Sequence, residues 1–192
     1  MPFDAANPAS DEALLVLYAN GDPHAARELT DRLTPRVLGF AARMLADRSE
    51  AEDVAQEAML RLWRIAGAWR TGEAKVSTWV YRVAANLCTD RLRRRRSVGL
   101  DSIAEPEDGL PGAVTVMIDA DRAAALEAGL AQLPERQRQA VVLRHLEGLT
   151  NPEIAEVMEI GVEAVESLTA RGKRALTAAL AGQRAALGYG DA

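Results

Sequence analysis

The 192-residue chain is 48% apolar and carries 23 basic and 28 acidic side chains, for a net charge of −5. That apolar share suffices for a buried core, and few aromatics beside abundant Ala, Leu and Arg favour an all-α protein of one large or two small domains. Cys88 is the only cysteine and stands with just His24 and His145, which excludes an internal disulfide and argues against a metal site; no apolar run approaches membrane-spanning length and Met1–Ser10 is not a signal peptide, so a cytoplasmic protein is expected.

Residues 1–10 are expected to be disordered. Asp11 to Asn20 reads as the first helix, ended near Gly21. Asp22-Pro23 starts a second, which Pro35 is expected to break or kink. Ser49 and Glu52 form a capping-box pattern that opens a helix to about Ile65. On it Val54, Ala55, Ala58, Met59 and Leu62 make an apolar stripe, with Asp53, Gln56, Glu57, Arg61 and Arg64 opposite. Ser77 is expected to cap a further helix from Thr78 to about Arg95. Its Val80, Val83, Ala84 and Leu87 turn inward, while Arg82, Asn86, Asp90 and Arg93 can face out. Trp63 and Trp79 sit at core-compatible spacing; Trp69, beside Arg70 and Gly72, is the better candidate for an exposed stacking platform. Cys88, among apolar neighbours, reads as a small buried residue.

Residues 97–120 hold five acidic side chains, no basic one, two prolines and three glycines, the composition of a flexible acidic linker. The chain therefore divides into 11–96 and 121–182, with a tail at 183–192. In the second part Leu133-Pro134 separates two helices, and Val141, Val142 and Leu146 share one face. Gly148 ends that helix, with His145 in a last turn favoured by the helix dipole. Thr150 and Glu153 form another capping box. Asn151 to Met158 and Val162 to about Ala175 then flank a Glu159-Ile160-Gly161 corner, with Ile154, Ala155, Met158, Val162, Val165 and Leu168 inward. Two short helices at that spacing are a helix-turn-helix, whose second helix would enter a DNA groove; the plainer alternative is a three-helix packing unit with no ligand. Basic density is concentrated at Arg91 and Arg93–Arg96, and so weakly charged a protein should bind free DNA poorly.

Two segments resemble one family. Residues 37–96, with AEDVAQE, LRLWR, STWVYRVAAN and DRLRRR, look like region 2 of the extracytoplasmic-function (group 4) sigma factors of the sigma-70 family of bacterial RNA polymerase. Residues 126–180, with LPERQR and LRHLEGLTNPEIAEVM, look like region 4. The resemblance implies two small helical domains, a region 2 bundle and a region 4 helix-turn-helix. It implies binding to core RNA polymerase, through the β′ clamp helices and the β flap, and to promoter DNA, with control by an anti-sigma factor that is often membrane-bound. Asp53, Gln56, Glu57 and Arg61 match the face that docks on the clamp helices. The loop at about Ala66–Val76 and the helix after it match the −10 reader, through Trp69, Arg70, Lys75, Arg82, Asn86 and Asp90, with Arg91, Arg93, Arg94 and Arg95 as phosphate grips. Glu163, Glu166, Ser167, Ala170, Arg171, Lys173 and Arg174 match the −35 reader. Glu166 departs from the Lys or Arg common there, which puts a borrowed −35 consensus in doubt. The resemblance implies no cofactor, no metal and no enzymatic activity. A sigma-like mimic that sequesters an anti-sigma factor and a stand-alone helix-turn-helix repressor are the competing readings; the repressor leaves the region 2 match unexplained.

Overall fold

The computed structural model describes residues 9–70, 72, 74–98 and 114–181, with backbone alone at 98 and 114–121. The described residues form helices and turns with no strand. The expected disordered N-terminus lies almost wholly outside them, as do the C-terminal tail and most of the linker. Helix α4 (Val76–Val98) takes in the start of the expected linker and α5 (Val114–Ala131) its end; residues 99–113 lie outside the described ones.

The N-terminal half is built on α1 (Asp11–Ala19), α2 (Pro23–Leu45) and α3 (Arg48–Ile65), followed by a short 3₁₀ turn at Ala66–Ala68 and then α4. Pro35 lies inside α2 and does not end it. Leu29, Leu33, Val37, Phe40 and Met44 continue one stripe across it, each no more than 1% exposed. Burying each such side chain contributes about 1.5–3 kcal/mol, which together outweighs the ~3 kcal/mol cost of an internal proline. Helix α3 starts one residue before Ser49. Asp47 is its N-cap, accepting from the Glu50 amide at 2.9 Å, and this leaves Ser49 exposed. Ser77 likewise lies inside α4. The Val76 amide donates to Glu12 Oε1 at 3.0 Å, so α1 satisfies a free amide that the sequence assigned to a local cap.

The C-terminal half comprises α5, α6 (Glu135–Val141), α7 (Asn151–Met158) and α8 (Val162–Ala181). Helix α6 passes into a π-helical turn at Val142–Leu146, with the Glu147 amide donating to the Val142 carbonyl at 3.0 Å. One extra residue in the turn rotates the side chains beyond it about the helix axis. Leu143 is buried, and Leu146, expected inside, is 39% exposed. Val162, also expected inside, is exposed at the first turn of α8, while Val157 and Val165 are buried. Glu159 in the left-handed region (φ 52°) ends α7 and makes the corner between the two helices. The two halves are in contact, chiefly through α4 against α7.

Candidate functional site

Helix α3 presents Asp53, Gln56 and Arg61 exposed and Glu57 half-exposed, opposite a stripe buried against α2. Arg61 Nε donates to Glu57 at 2.7 Å, with Arg64 3.9 Å away. The hydrogen bond from Arg61 holds the Glu57 carboxyl below its ordinary value. Beside this polar face runs an apolar groove of about 360 Å³ between α2 and α3, lined by Thr34, Leu38, Gln56, Met59, Leu60 and Trp63. Leu60, 42% exposed, stands at its edge. The sequence reading missed the groove, although Leu60 sits outside the buried stripe and is the one large apolar residue on the polar side.

On α4, Asn86, Arg93 and Arg94 are exposed, and Arg82 and Asp90 half-buried. Arg93 donates to Asp90 at 2.9 Å. The arginine cluster divides. Arg95 donates to the Leu45 carbonyl at 2.8 Å and pairs with Asp47 and Glu50 at 3.1 Å, tying the end of α2 to the start of α3. Arg91 faces Glu50 at 3.8 Å and Asp53 at 3.6 Å. In this arrangement both are held by carboxylates of their own half, so the outward cationic surface is carried by Arg93 and Arg94. Trp69 departs from the expected open platform. It is half-buried, packed on the core, edge-on to Trp79 with ring centroids 6.3 Å apart, and its indole N–H is buried without an acceptor. Trp63 is half-buried against Tyr18, their centroids 4.6 Å apart. Arg70 and Lys75 are exposed at the two ends of the loop, and Lys75 Nζ donates to Glu153 Oε1 at 2.6 Å.

Glu163, Glu166, Ser167, Ala170, Arg171, Lys173 and Arg174 all lie exposed on α8. Two close approaches explain why that face points outward. Gly172 is buried on α6, where a Cβ would fall 2.6 Å from Val141 Cγ2 and 3.1 Å from the Gln137 carbonyl; Val165 is fully buried. Asn151 Nδ2 reaches Glu166 Oε1 at 3.4 Å, and Arg171 Nε donates to the Ser167 carbonyl at 3.2 Å. Both contacts leave the acidic and basic ends of the side chains at the surface. Glu153 closes the capping box of α7, accepting from the amide and hydroxyl of Thr150 at 2.7 Å each. Burial alone would raise the Glu153 carboxyl; the hydrogen bonds from Lys75 and Thr150 outweigh it and bring it to about 2. A second apolar groove, about 270 Å³, opens between α5, α6 and α8, with Leu126, Leu130, His145, Leu146, Leu176 and Leu180 among its lining. His145 stands in the last turn of its helix, as expected. Burial, then Lys173 and Arg144, lower its pKa, so the neutral imidazole is favoured. Cys88 is fully buried and its thiol is pushed up to about 12 by burial, an inert thiol at neutral pH.

Residues 29–98 match the family model for sigma-70 region 2, and residues 123–176 that for sigma-70 region 4. RNA polymerase sigma-H factor of Pseudomonas aeruginosa is 34% identical over 181 residues, covering 88% of this chain and 93% of that protein. The extracytoplasmic-function RNA polymerase sigma factor SigW of Bacillus subtilis is 31% identical over 81% of this chain and 89% of its own. The chain belongs to the extracytoplasmic-function sigma factors of the sigma-70 family. A solved structure of the sigma factor RpoE with the anti-sigma factor NepR, from Bartonella quintana, shares the fold at TM-score 0.64 and 19% identity, covering 80% of this chain and 95% of that one. This chain is an alternative sigma factor, and its family consists of transcription regulators rather than catalysts. Region 2 corresponds to most of α2 with α3 and α4, and region 4 to the stretch from α5 through most of α8. Among the described residues, no helix of this sigma factor is long and apolar enough to cross a membrane.

Proposed function

We propose that this sigma factor binds core RNA polymerase with its α3 face, reads a −10 element with α4 and the loop before it, and reads a −35 element with α8. The observation that carries the reading is the coexistence in one chain of two separate outward surfaces. One is the mixed-charge face of Asp53, Gln56, Glu57 and Arg61 beside an apolar groove; the other is the exposed face of α8. A polar rim around an apolar centre suits a specific protein contact, so the β′ clamp helices occupy the groove edged by Leu60, with Gln56 and Glu57 setting register. The β flap takes the second groove, where Leu146 is exposed.

In the −10 segment, Asn86 pairs with a base edge, and Asp90 accepts from a cytosine amine once Arg93 swings to phosphate. Arg93 and Arg94 carry most of the phosphate contact, with Arg70, Lys75 and Arg82 flanking and Arg91 and Arg95 bracing the helix they stand on. Trp69 serves by supporting Trp79 until the loop opens. On α8, Arg171, Lys173 and Arg174 neutralise phosphates, while Glu163, Glu166, Ser167 and Ala170 face the bases; Glu166 selects cytosine by accepting from its amine. A net charge of −5 leaves little affinity for free duplex, which assigns most of the DNA-binding competence to the complex with core. The protein acts in the cytoplasm, without catalysis of its own, and an anti-sigma factor restrains it by covering these same faces.

The test is competition for core polymerase. Leu60→Ala and Gln56→Ala lose affinity for core by about tenfold or more each, the scale of an interface anchor, while Glu163→Ala leaves that affinity unchanged. Equal affinity in all three variants contradicts the assignment of the α3 face.

A further inference from the structure

Helix α4 takes a cap from another helix. The residue before it, Lys75, has a side chain of donors alone and can accept nothing from the free amides of the first turn. The Lys75 carbonyl accepts from the Trp79 amide at 3.0 Å, which starts the helix. The Val76 amide instead donates to Glu12 Oε1 of α1 at 3.0 Å, and Val76 itself is fully buried. Glu12 stands on a helix that is held in turn. Arg32 of α2 donates to the Ala9 carbonyl at 2.6 Å and faces Asp11 at 3.3 Å, Leu14 and Leu15 are buried, and the Tyr18 ring lies 4.6 Å from that of Trp63. Burial alone would raise the Glu12 carboxyl; the hydrogen bond from Val76 is foremost among the contacts that outweigh it, and the carboxyl stays below its ordinary value. Helix α1 also packs against the 3₁₀ turn at Ala66–Ala68 and against α4. One helix therefore grips both ends of the segment between α3 and α4, and it lies wholly before the residues that match the region 2 family model.

We propose that Glu12 is a positioning residue for −10 reading: its carboxylate fixes the first turn of α4, and with it the loop that captures an unpaired −10 base. The proposal rests on the reading of α4 and the loop before it as the −10 reader. The first turn of α4 carries Trp79, and Trp69 of the loop packs edge-on to that ring. A carboxylate at a helix N-terminus makes a charge-assisted bond and meets the positive end of the helix dipole, so it holds the turn more firmly than a neutral cap. Capturing a base means unstacking it, and a loop that is already ordered loses less entropy in doing so. Without Glu12 the buried Val76 amide loses its acceptor, the first turn frays, and the support of Trp69 by Trp79 goes with it. The turns beyond, with Asn86, Arg93 and Arg94, are held by the packing of α4 on α2 and α3. The loss therefore falls on base capture and spares phosphate contact and polymerase affinity.

The experiment uses the full chain with core polymerase, on a promoter recovered by run-off transcription and on copies of it with single −10 substitutions. Glu12→Ala lowers the rate of open-complex formation about tenfold, the scale of one hydrogen bond to a charged group. It narrows the ratio of rates between the promoter and its −10 variants several-fold, and leaves core affinity and salt dependence unchanged. Glu12→Gln, which keeps an acceptor at the same reach, falls between. The ratio is read at saturating core, on folded molecules alone, so partial unfolding cannot produce the change. Amide exchange at Val76 in the free protein is the second measurement, and it quickens about tenfold in Glu12→Ala and less in Glu12→Gln. Unchanged exchange overturns the cap, and faster exchange with an unchanged −10 ratio overturns the positioning role alone. A wild-type protein that shows no −10 preference, with its Val76 amide still protected, overturns the reading of α4 and the positioning role with it, while the cap stands.

Discussion

Replacing Gly172 by alanine isolates the contact that orients α8, the helix proposed to read −35. The new Cβ would sit 2.6 Å from Val141 Cγ2 and 3.1 Å from the Gln137 carbonyl. The valine methyl can move; the backbone carbonyl of a packed helix cannot do so without shifting α6. Overpacking of this kind costs about 1–3 kcal/mol, and alanine recovers about 0.8–1 kcal/mol of helix propensity over glycine. The fixed carbonyl places the cost in the upper half of its range, for a net loss of about 1–2 kcal/mol confined to region 4. Trp63, Trp69 and Trp79 all belong to region 2, so tryptophan fluorescence reports that half and circular dichroism reports both. In a urea titration Gly172→Ala shifts an early part of the dichroism transition to lower urea, while the fluorescence midpoint stays near that of the wild type. Binding to a −35 duplex in the polymerase complex falls in step. Adding Val141→Ala relieves one of the two contacts, so the double variant is less destabilised than the sum of the single effects. A Gly172→Ala protein as stable as the wild type, or strict additivity with Val141→Ala, refutes the close-approach argument.

The divided arginine cluster makes a second prediction. Arg94→Ala lowers the slope of log affinity against log salt by about 1 in the polymerase–promoter complex without altering stability, whereas Arg95→Ala leaves the slope unchanged and lowers the urea midpoint by freeing the Leu45 carbonyl, Asp47 and Glu50. Exchanged effects would reverse the assignment. For Glu153 the folded carboxyl lies at about 2 against an ordinary 4.5, so it contributes stability that is present above 4.5 and lost as pH falls from there towards 2. Glu153→Gln, which can still complete the capping box, flattens that part of the stability–pH curve measured by urea unfolding; an unchanged curve removes the Lys75–Glu153 pair from the account. Cys88 reacts with a thiol-specific disulfide reagent only at the rate of unfolding, and rapid modification of the native protein would contradict its burial.

Helical periodicity and end signals made α1, α3 and α7 legible in the sequence, because each buries one face and turns polar residues to the other. Several of the errors share a physical origin, in that a tertiary contact overrode a local rule. Pro35 is carried through α2 by the core side chains on both sides of it. Glu12, distant in sequence, bonds the first amide of α4, where Ser77 was the local candidate. The π-helical turn shifts Leu143 inward and Leu146 outward, and no residue type in the VLRHLEG run announces it. For the candidate site, the family resemblance singled out the α8 residues, and all of them are exposed. It could not divide the arginines, since whether Arg95 meets phosphate or the end of α2 depends on where α3 begins.

The most direct test of the central claim is run-off transcription with purified protein and bacterial core RNA polymerase on fragmented genomic DNA from its source, with a known sigma factor in parallel. Discrete transcripts that share an upstream two-part motif are the predicted result, and they would define the −10 and −35 sequences at once. No transcript from this protein, with the parallel sigma factor active and the chain folded, would contradict its action as a promoter-specificity factor.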